Sequence, residues 1–559
     1  MNELKGQLTL RGVIIGCVGC VIITAASMYT ALKMGALPWP IIFVALVSYF
    51  FLRVLGSRSL NEANVTHTIM SAGSMVAGGL AFTIPGIFIL GLGDVPLWQM
   101  LLVALAGSIL GLIGCAVFRA NFIEKQQLEF PIGQAAAETL KAGDAGGKVG
   151  AQLFGAMGFA GVWAALRDAV GVIPAMLFGG VAIPGITFGI YLSPMMLAVG
   201  FLVGAVAMVA WFGGALVQLL IVAGGSSAGL FDVATGQAIN SSLGMGLMMG
   251  CGIAVVCKGI LPKALRALKN RGSGEGVLGD ELQAASANAL AGKRNLSAGV
   301  LGLLGAVVSL LICFALGIGP LGSVIVVLLS FATVAMSAQS VGQTGIDPME
   351  IFGLIVLLFV ALVGDTPQVQ LFFVAGVIAV ACGIGGDVMN DFKAGHVLGT
   401  NPRAQLVGQA IGGVIGAVVA AGTLYALVSA YGPDAFGVGH DFVAAQASVV
   451  ATLVGGIPNA PAFIIGLVVG FGIYLLGGPA MMIGLGVYLP FYMSFTAFLG
   501  CLAKWIYDAV AKARRKDLPE AEQRAAREKS NQAGLVVASG LLGGESIVGV
   551  CMALAAVFM

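Results

Sequence analysis

Stretches of about 20 mostly apolar residues, the length a helix needs to cross a bilayer, recur along this chain from residue 10 to residue 558. They fall near 10–31, 37–55, 66–92, 96–118, 149–166, 168–187, 188–212 and 240–261. A second series lies near 297–317, 318–338, 348–364, 368–388, 404–430, 442–457, 461–478 and 480–503, with one more near 534–558. The runs are continuous rather than alternating, which excludes a barrel. Only 9% of the 559 residues are charged, too few to coat a soluble fold of this size. Glycine reaches 85 residues, about twice the usual share. In lipid that excess permits close helix approach, and helix breaks where backbone lines a cavity. The sequence therefore predicts an all-α polytopic membrane protein of about 16 transmembrane helices, with broken or re-entrant segments.

Basic residues orient the spans. With the N-terminus in the cytoplasm, those between 53 and 58, 119 and 148, 263 and 294, 393 and 403, and 504 and 529 all face inward. Only Lys33 and Arg167 fall on the opposite side. The expected location is the cell inner membrane, multi-pass, with the opening MNELKGQLTLR leading into a retained first span rather than a cleaved signal. A net charge of +2, scattered over loops, gives no basis for a nucleic-acid partner. Cys17 and Cys20 form a C-x-x-C inside the first run with no second pair, and read as small packing residues.

The chain also repeats itself. FGIYLSPMMLAVGFLVG (188–204) matches LGVYLPFYMSFTAFLG (485–500) in its glycine, tyrosine and leucine placement. LNEANVTHTIMSAG (60–73) aligns more weakly with VGQTGIDPMEIFGL (341–354). The expectation is two related transmembrane halves, 1–262 and 295–559, in a parallel repeat. A cytoplasmic linker, 263–294, joins them, and the second half includes a basic cytoplasmic loop, 504–533. That half carries nine apolar runs, so one of 442–457 and 461–478 is read as re-entrant.

A carboxylate at the bilayer centre costs at least about 2.5–3.5 kcal/mol, so each one there needs a partner, a proton or a function. Asp168, Asp232 and Asp365 read as helix ends in water. Glu545 differs, standing among Gly, Leu, Ser and Val. Three clusters combine polar groups with helix breakers. The first holds Glu62, His67 and Ser71; His67 is able to bind substrate or carry a proton. The second holds Gln343, Asp347, Pro348 and Glu350, where the proline disfavours helix at Asp347 and frees backbone groups for a ligand. The third runs from Asp387 through Asn390, Asp391 and Lys393 to Gln409, and is either a capped cytoplasmic loop or a gate. Candidate substrate-binding residues are thus Glu62, His67, Ser71, Gln343, Asp347 and Glu350. Proton-coupling candidates are Glu138, Asp391 and Glu545. Three histidines make no metal cage, and no cofactor is expected.

No G-x-x-x-x-G-K-[ST] loop is present, which argues against a self-contained ATP-driven pump. Neither H-E-x-x-H nor G-x-S-x-G is present, which leaves an intramembrane enzyme as a minor alternative beside a channel. The chain resembles the oligopeptide transporter family, prokaryotic type, related to the yellow-stripe metal-chelate transporters. The resemblance rests on NEANVTHTIMSAGSMVAGGLAFTIPGI (61–87), LEFPIGQAAAETLKAG (128–143), MNDFKAGHVLGTNPRAQLVGQ (389–409), GVYLPFYMS (486–494) and SGLLGGESIVGV (539–550). It departs at His67, where relatives often carry glutamine, and at Asp347–Pro348, where the family has Asn-Pro. The resemblance implies uptake of small peptides or peptide-like metal chelates, driven by protons. The expected mechanism is secondary active transport by alternating access. Expected partners are the cargo, protons and the lipid bilayer, with a homodimer left open.

Overall fold

The computed structural model describes residues 6–35, 37, 41–144, 149–259, 296–345, 347–437, 439–513 and 519–558; the 263–294 linker lies outside them. The chain opens with α1 (Leu10–Met34), α2 (Ile41–Val54), α3 (Leu60–Ala81), the short α4 (Pro85–Ile89) and α5 (Leu97–Arg119). Next come α6 (Pro131–Asp144), α7 (Val149–Ala164), α8 (Pro194–Leu202), α9 (Ala205–Gln218) and α10 (Val233–Gly259). After the linker follow α11 (Leu296–Ala315), α12 (Pro320–Thr344), α13 (Met349–Val363), α14 (Gln368–Leu398) and α15 (Pro402–Tyr431). The chain closes with α16 (Ala445–Gly455), α17 (Ala460–Leu475), α18 (Ala480–Tyr488), α19 (Phe491–Ala513) and α20 (Glu520–Phe558). Eight described helical segments are long and apolar enough to cross a membrane, and five shorter apolar helices accompany them. The all-α polytopic expectation is met.

Local chemistry sets the ends. Thr9 caps α1 by accepting from the Gly12 amide, and Gly35 closes it at φ 62°. Ser59 caps α3, while Asn401 with Pro402 starts α15. Gly345 (φ 74°) and Gly399 (φ 75°) end α12 and α14 in the left-handed region that glycine adopts without strain.

One expected span is absent. Residues 168–187 form no membrane helix; with the start of the next run they make two nested strand pairs, β1 (Met176–Leu177) with β4 (Ile190–Tyr191) and β2 (Ala182–Ile183) with β3 (Ile186–Thr187). The run is apolar, yet Gly171, Pro174, Gly179, Gly180, Pro184 and Gly185 break it too often for a helix to propagate. The expected spans 188–212 and 480–503 are each split, at Gly204 and at Pro490. Of the two re-entrant candidates, α16 is the short one: its 11 residues rise about 16 Å, half a bilayer. Much of the 504–533 loop is helix, as α19 runs to Ala513 and α20 starts at Glu520.

Two helices form the centre. The apolar windows of α3 with α4 and of α14 are 94% and 89% buried, against 33–56% for the other six. Small residues bring the helices together. Gly408, Gly412 and Gly416 of α15 lie against Val65, Ile69 and Gly73 of α3, a constant offset that makes the pair parallel. Gly246 and Gly250 of α10 meet the carbonyls of Phe463 and Leu467, and Gly466 and Gly470 of α17 meet those of Leu243 and Leu247. These reciprocal G-x-x-x-G faces leave no room for a side chain. Gly470→Leu is therefore expected to destabilise the fold by at least about 1–3 kcal/mol. Gly213→Leu, whose added Cβ meets nothing within 4 Å, should leave the unfolding midpoint unchanged; equal midpoints for the two variants would contradict this packing.

Candidate functional site

Most of cluster three is helix, broken only by the short capped turn at 399–401. α14 carries its first part, through Lys393, and α15 its last, from Pro402; Asp387, Asn390 and Asp391 are fully buried, with Lys393 nearly so. The parallel packing of α3 on α15, with α14 beside them, converges their polar residues. Ser71 donates to Asp391 Oδ2 at 3.1 Å and Gln409 Nε2 donates to the same oxygen at 2.6 Å. His67 Nε2 stands 3.5 Å from Asp391 Oδ1. Gln405 Nε2 donates to the Asp391 carbonyl at 2.6 Å. Gly133, at the start of α6, donates its amide to Asn390 Oδ1 at 3.2 Å, and Lys393 Nζ donates to the Leu128 carbonyl at 2.7 Å. One turn before Asp391, both carboxylate oxygens of Asp387 have no hydrogen-bond partner among the described residues. An uncompensated charge in such a place is costly, whereas a neutral acid is tolerated.

The break between α12 and α13 lies against the same helix. Ser337 donates to Asp347 Oδ1 at 2.7 Å, and its hydroxyl is also 3.0 Å from the Cys382 carbonyl of α14. Asp347 Oδ2 is buried without a partner among the described residues. Met349 packs where Gly383 of α14 and Gly78 of α3 leave space. Glu350, in the first turn of α13, is 4% exposed. The Gln343 side chain lies outside the described residues.

The remaining expected residues sit elsewhere. Glu62 is held where α1 and α3 begin: Arg11 donates to both its oxygens at 2.7 and 2.9 Å, joined by Thr9 and Ser57. Glu138 is exposed on α6. Glu545 of α20 is buried and receives the Ser193 hydroxyl at 2.8 Å, the Met195 amide at 2.8 Å and the Arg167 guanidinium at 2.9 Å. It thereby caps the N-terminus of α8. Arg167 also donates to both oxygens of Asp168 at 2.6 Å and to the Leu192 carbonyl at 2.9 Å, and its guanidinium lies 4.9 Å from the Tyr191 ring centre. The sequence signal for this partner was its place as an exception to the charge rule.

A cavity of about 800 Å³ opens beneath the strand pairs. It is lined by β3, by the α18–α19 break from Tyr488 to Tyr492, and by α16, and its polar side chains include Gln218, Gln237, Asn240, His440, Ser448 and Thr452 beside the two tyrosines. It borders the end of α4 at Ile89 and the segment after α15 at Gly437 and His440. These are helix ends opposite the one where Gln7, Ser59 and Asn401 meet. None of these lining amides stood among the candidate residues, although GVYLPFYMS marks the break itself.

A family model described as OPT oligopeptide transporter protein matches residues 7–556. A Haemophilus influenzae protein named "Putative oligopeptide transporter" is 25% identical over 610 residues, covering 94% of this chain and 92% of its own. Metal-nicotianamine transporter YSL2 of Arabidopsis thaliana is 46% identical over 65 residues, 10% of each chain. Metal-nicotianamine transporter YSL2 of Oryza sativa subsp. japonica is 35% identical over 112 residues, 18% of this chain and 16% of its own.

Proposed function

Because the chain belongs to the oligopeptide transporter family, we propose that it is a proton-coupled secondary active transporter that imports small peptides or peptide-like metal chelates by alternating access. The observation that carries this reading is the cavity of about 800 Å³. Its volume suits a small organic cargo, and irregular backbone at membrane depth is tolerated where it lines such a space. With the N-terminus in the cytoplasm of an inner-membrane protein, the cavity faces outward, as a state that accepts external cargo must.

In this reading Asp387 and Asp391, with His67 and Ser71 beside them, hold the coupling proton. The support is the partnerless Asp387 carboxylate inside the bundle. Asp347 and Glu350 relay it from the break next to α14. The halves 1–262 and 295–559 rock against one another. That division is supported by the parallel packing of α8 on α19, whose Gly200 and Gly500 meet Ala497 and Leu197 in turn.

Both the Haemophilus and the plant relatives are named as transporters, which favours a carrier over an enzyme. The test is uptake of labelled triglycine into proteoliposomes with an acidic exterior. Accumulation above the external concentration, abolished by a protonophore, is expected, together with counterflow of preloaded label. Equilibration without accumulation or counterflow would instead indicate a channel.

A further inference from the structure

One wall of the cavity carries an ionisable ring. Among the described lining residues there is no Asp, Glu, Lys or Arg, so His440 is the lining group whose charge changes between pH 5 and 8. His440 is exposed. Its imidazole enters no ion pair and no side-chain hydrogen bond among the described residues.

The backbone holds the ring at the cavity edge. Gly437 (φ 121°) and Gly439 (φ 85°) adopt the left-handed region, so the chain turns back sharply. Gly437 donates its amide to the Phe442 carbonyl at 2.8 Å, Phe442 to the Ala435 carbonyl at 2.9 Å and His440 to the Gly437 carbonyl at 3.2 Å. Phe436 and Phe442, both buried, stack with ring centres 5.5 Å apart, and Phe88 lies 5.6 Å beyond Phe436. These rings anchor the turn in the bundle and leave His440 on its exposed side.

The titratable groups around the turn are few. Asp434 and Asp441 stand on the segment itself, Tyr29 and Lys33 on α1, Tyr431 at the end of α15 and Tyr492 on α19, with Asp168 beyond Lys33. α4 and α16 contribute none. The Lys33 ammonium lies 5.1 Å from the Phe442 ring centre and offsets the charge of Asp441. His440 is thus the cationic group left without a counter-charge of its own.

We propose that His440, when protonated, receives the carboxylate of the cargo at the cavity wall and so favours loading from the acidic side. This rests on the cavity being the cargo site. A carboxylate that leaves water for a space without a cation loses its hydration uncompensated. An imidazolium N–H gives it a charge-assisted hydrogen bond, roughly twice as strong as the bond that a neutral imidazole offers.

The test sets triglycine against triglycinamide, which lacks the carboxylate, as competitors of labelled triglycine in counterflow. Proteoliposomes are held at the same pH on both sides. The coupling proton and the peptide amine act on both competitors alike, so the ratio of their apparent affinities isolates the carboxylate. In the wild-type protein triglycine should be favoured about tenfold at pH 5.5 and about twofold at pH 7.5. His440→Gln, which keeps a hydrogen-bonding side chain without the charge, should hold the ratio near twofold at both. A ratio that does not change with pH in the wild type overturns the assignment and leaves the carrier intact. So does a pH-dependent ratio that survives in His440→Gln. A wild-type protein that exchanges neither peptide overturns the peptide-cargo reading and this site with it.

Discussion

Asp387→Asn is expected to abolish proton-driven accumulation while leaving counterflow in place. With one proton per cargo, a gradient of two pH units stores about 2.7 kcal/mol, enough for roughly 100-fold accumulation. Asparagine keeps the volume and removes the exchangeable proton, so the accumulation ratio should fall to about one. Exchange of cargo across the membrane needs no proton to be released, and should persist. The reason for choosing Asp387 is its lack of any hydrogen-bond partner among the described residues. Its neighbour Asp391 is held by Ser71 and Gln409, so Asp391→Asn should impair coupling and also lower the unfolding midpoint. Full accumulation by both variants would remove these acids from the coupling scheme.

The largest stability effect is expected at Arg167. Its side chain is 1% exposed and meets Glu545, itself 2% exposed. Breaking a buried ion pair by removing one member costs about 3–5 kcal/mol, because the other charge is stranded. Arg167→Met should therefore unfold at a markedly lower temperature in detergent or nanodiscs. It strands Glu545, takes the cation from Asp168 and strips a donor from the Leu192 carbonyl. Arg167→Met combined with Glu545→Met should recover part of the loss, since the buried carboxylate is gone and only the half-exposed Asp168 is left without its cation. A double variant no more stable than Arg167→Met would mean that the Asp168 and Leu192 contacts of Arg167, not its pair with Glu545, hold the joint. The outcome also bears on Glu545 as a proton carrier. Through the guanidinium, the Ser193 hydroxyl and the Met195 amide, the carboxylate ties α8 to α20, so Glu545→Gln, which keeps the shape, separates that joint from proton coupling: accumulation lost with the unfolding midpoint kept is the result expected of a coupling acid.

His67, Ser71, Asp391, Asp347, Glu350 and Glu545 all stood out in the sequence for one reason: polar or ionisable groups inside apolar runs are costly in lipid. The structure buries or half-buries each of them. The lining amides did not stand out, because a single Asn or Gln within a long run barely lowers its hydropathy. The hairpin region misled for the opposite reason. Its composition is that of a span, and only the density of Gly and Pro betrays that no helix forms.

By itself, the sequence determined that this chain must live in lipid and which polar side chains are costly to set against hydrocarbon. Those properties are local, being sums over a window or the chemistry of one side chain. Which groups meet was decided by tertiary structure alone. Ser71 reaches Asp391 across 320 positions, and Ser193 reaches Glu545 across 352. Such meetings depend on helix rotation and offset, which the glycine contacts set through backbone fit rather than through any pattern readable along one helix. The cavity is a product of the same fit, a space left where a broken helix, a half-length helix and a hairpin cannot close against each other.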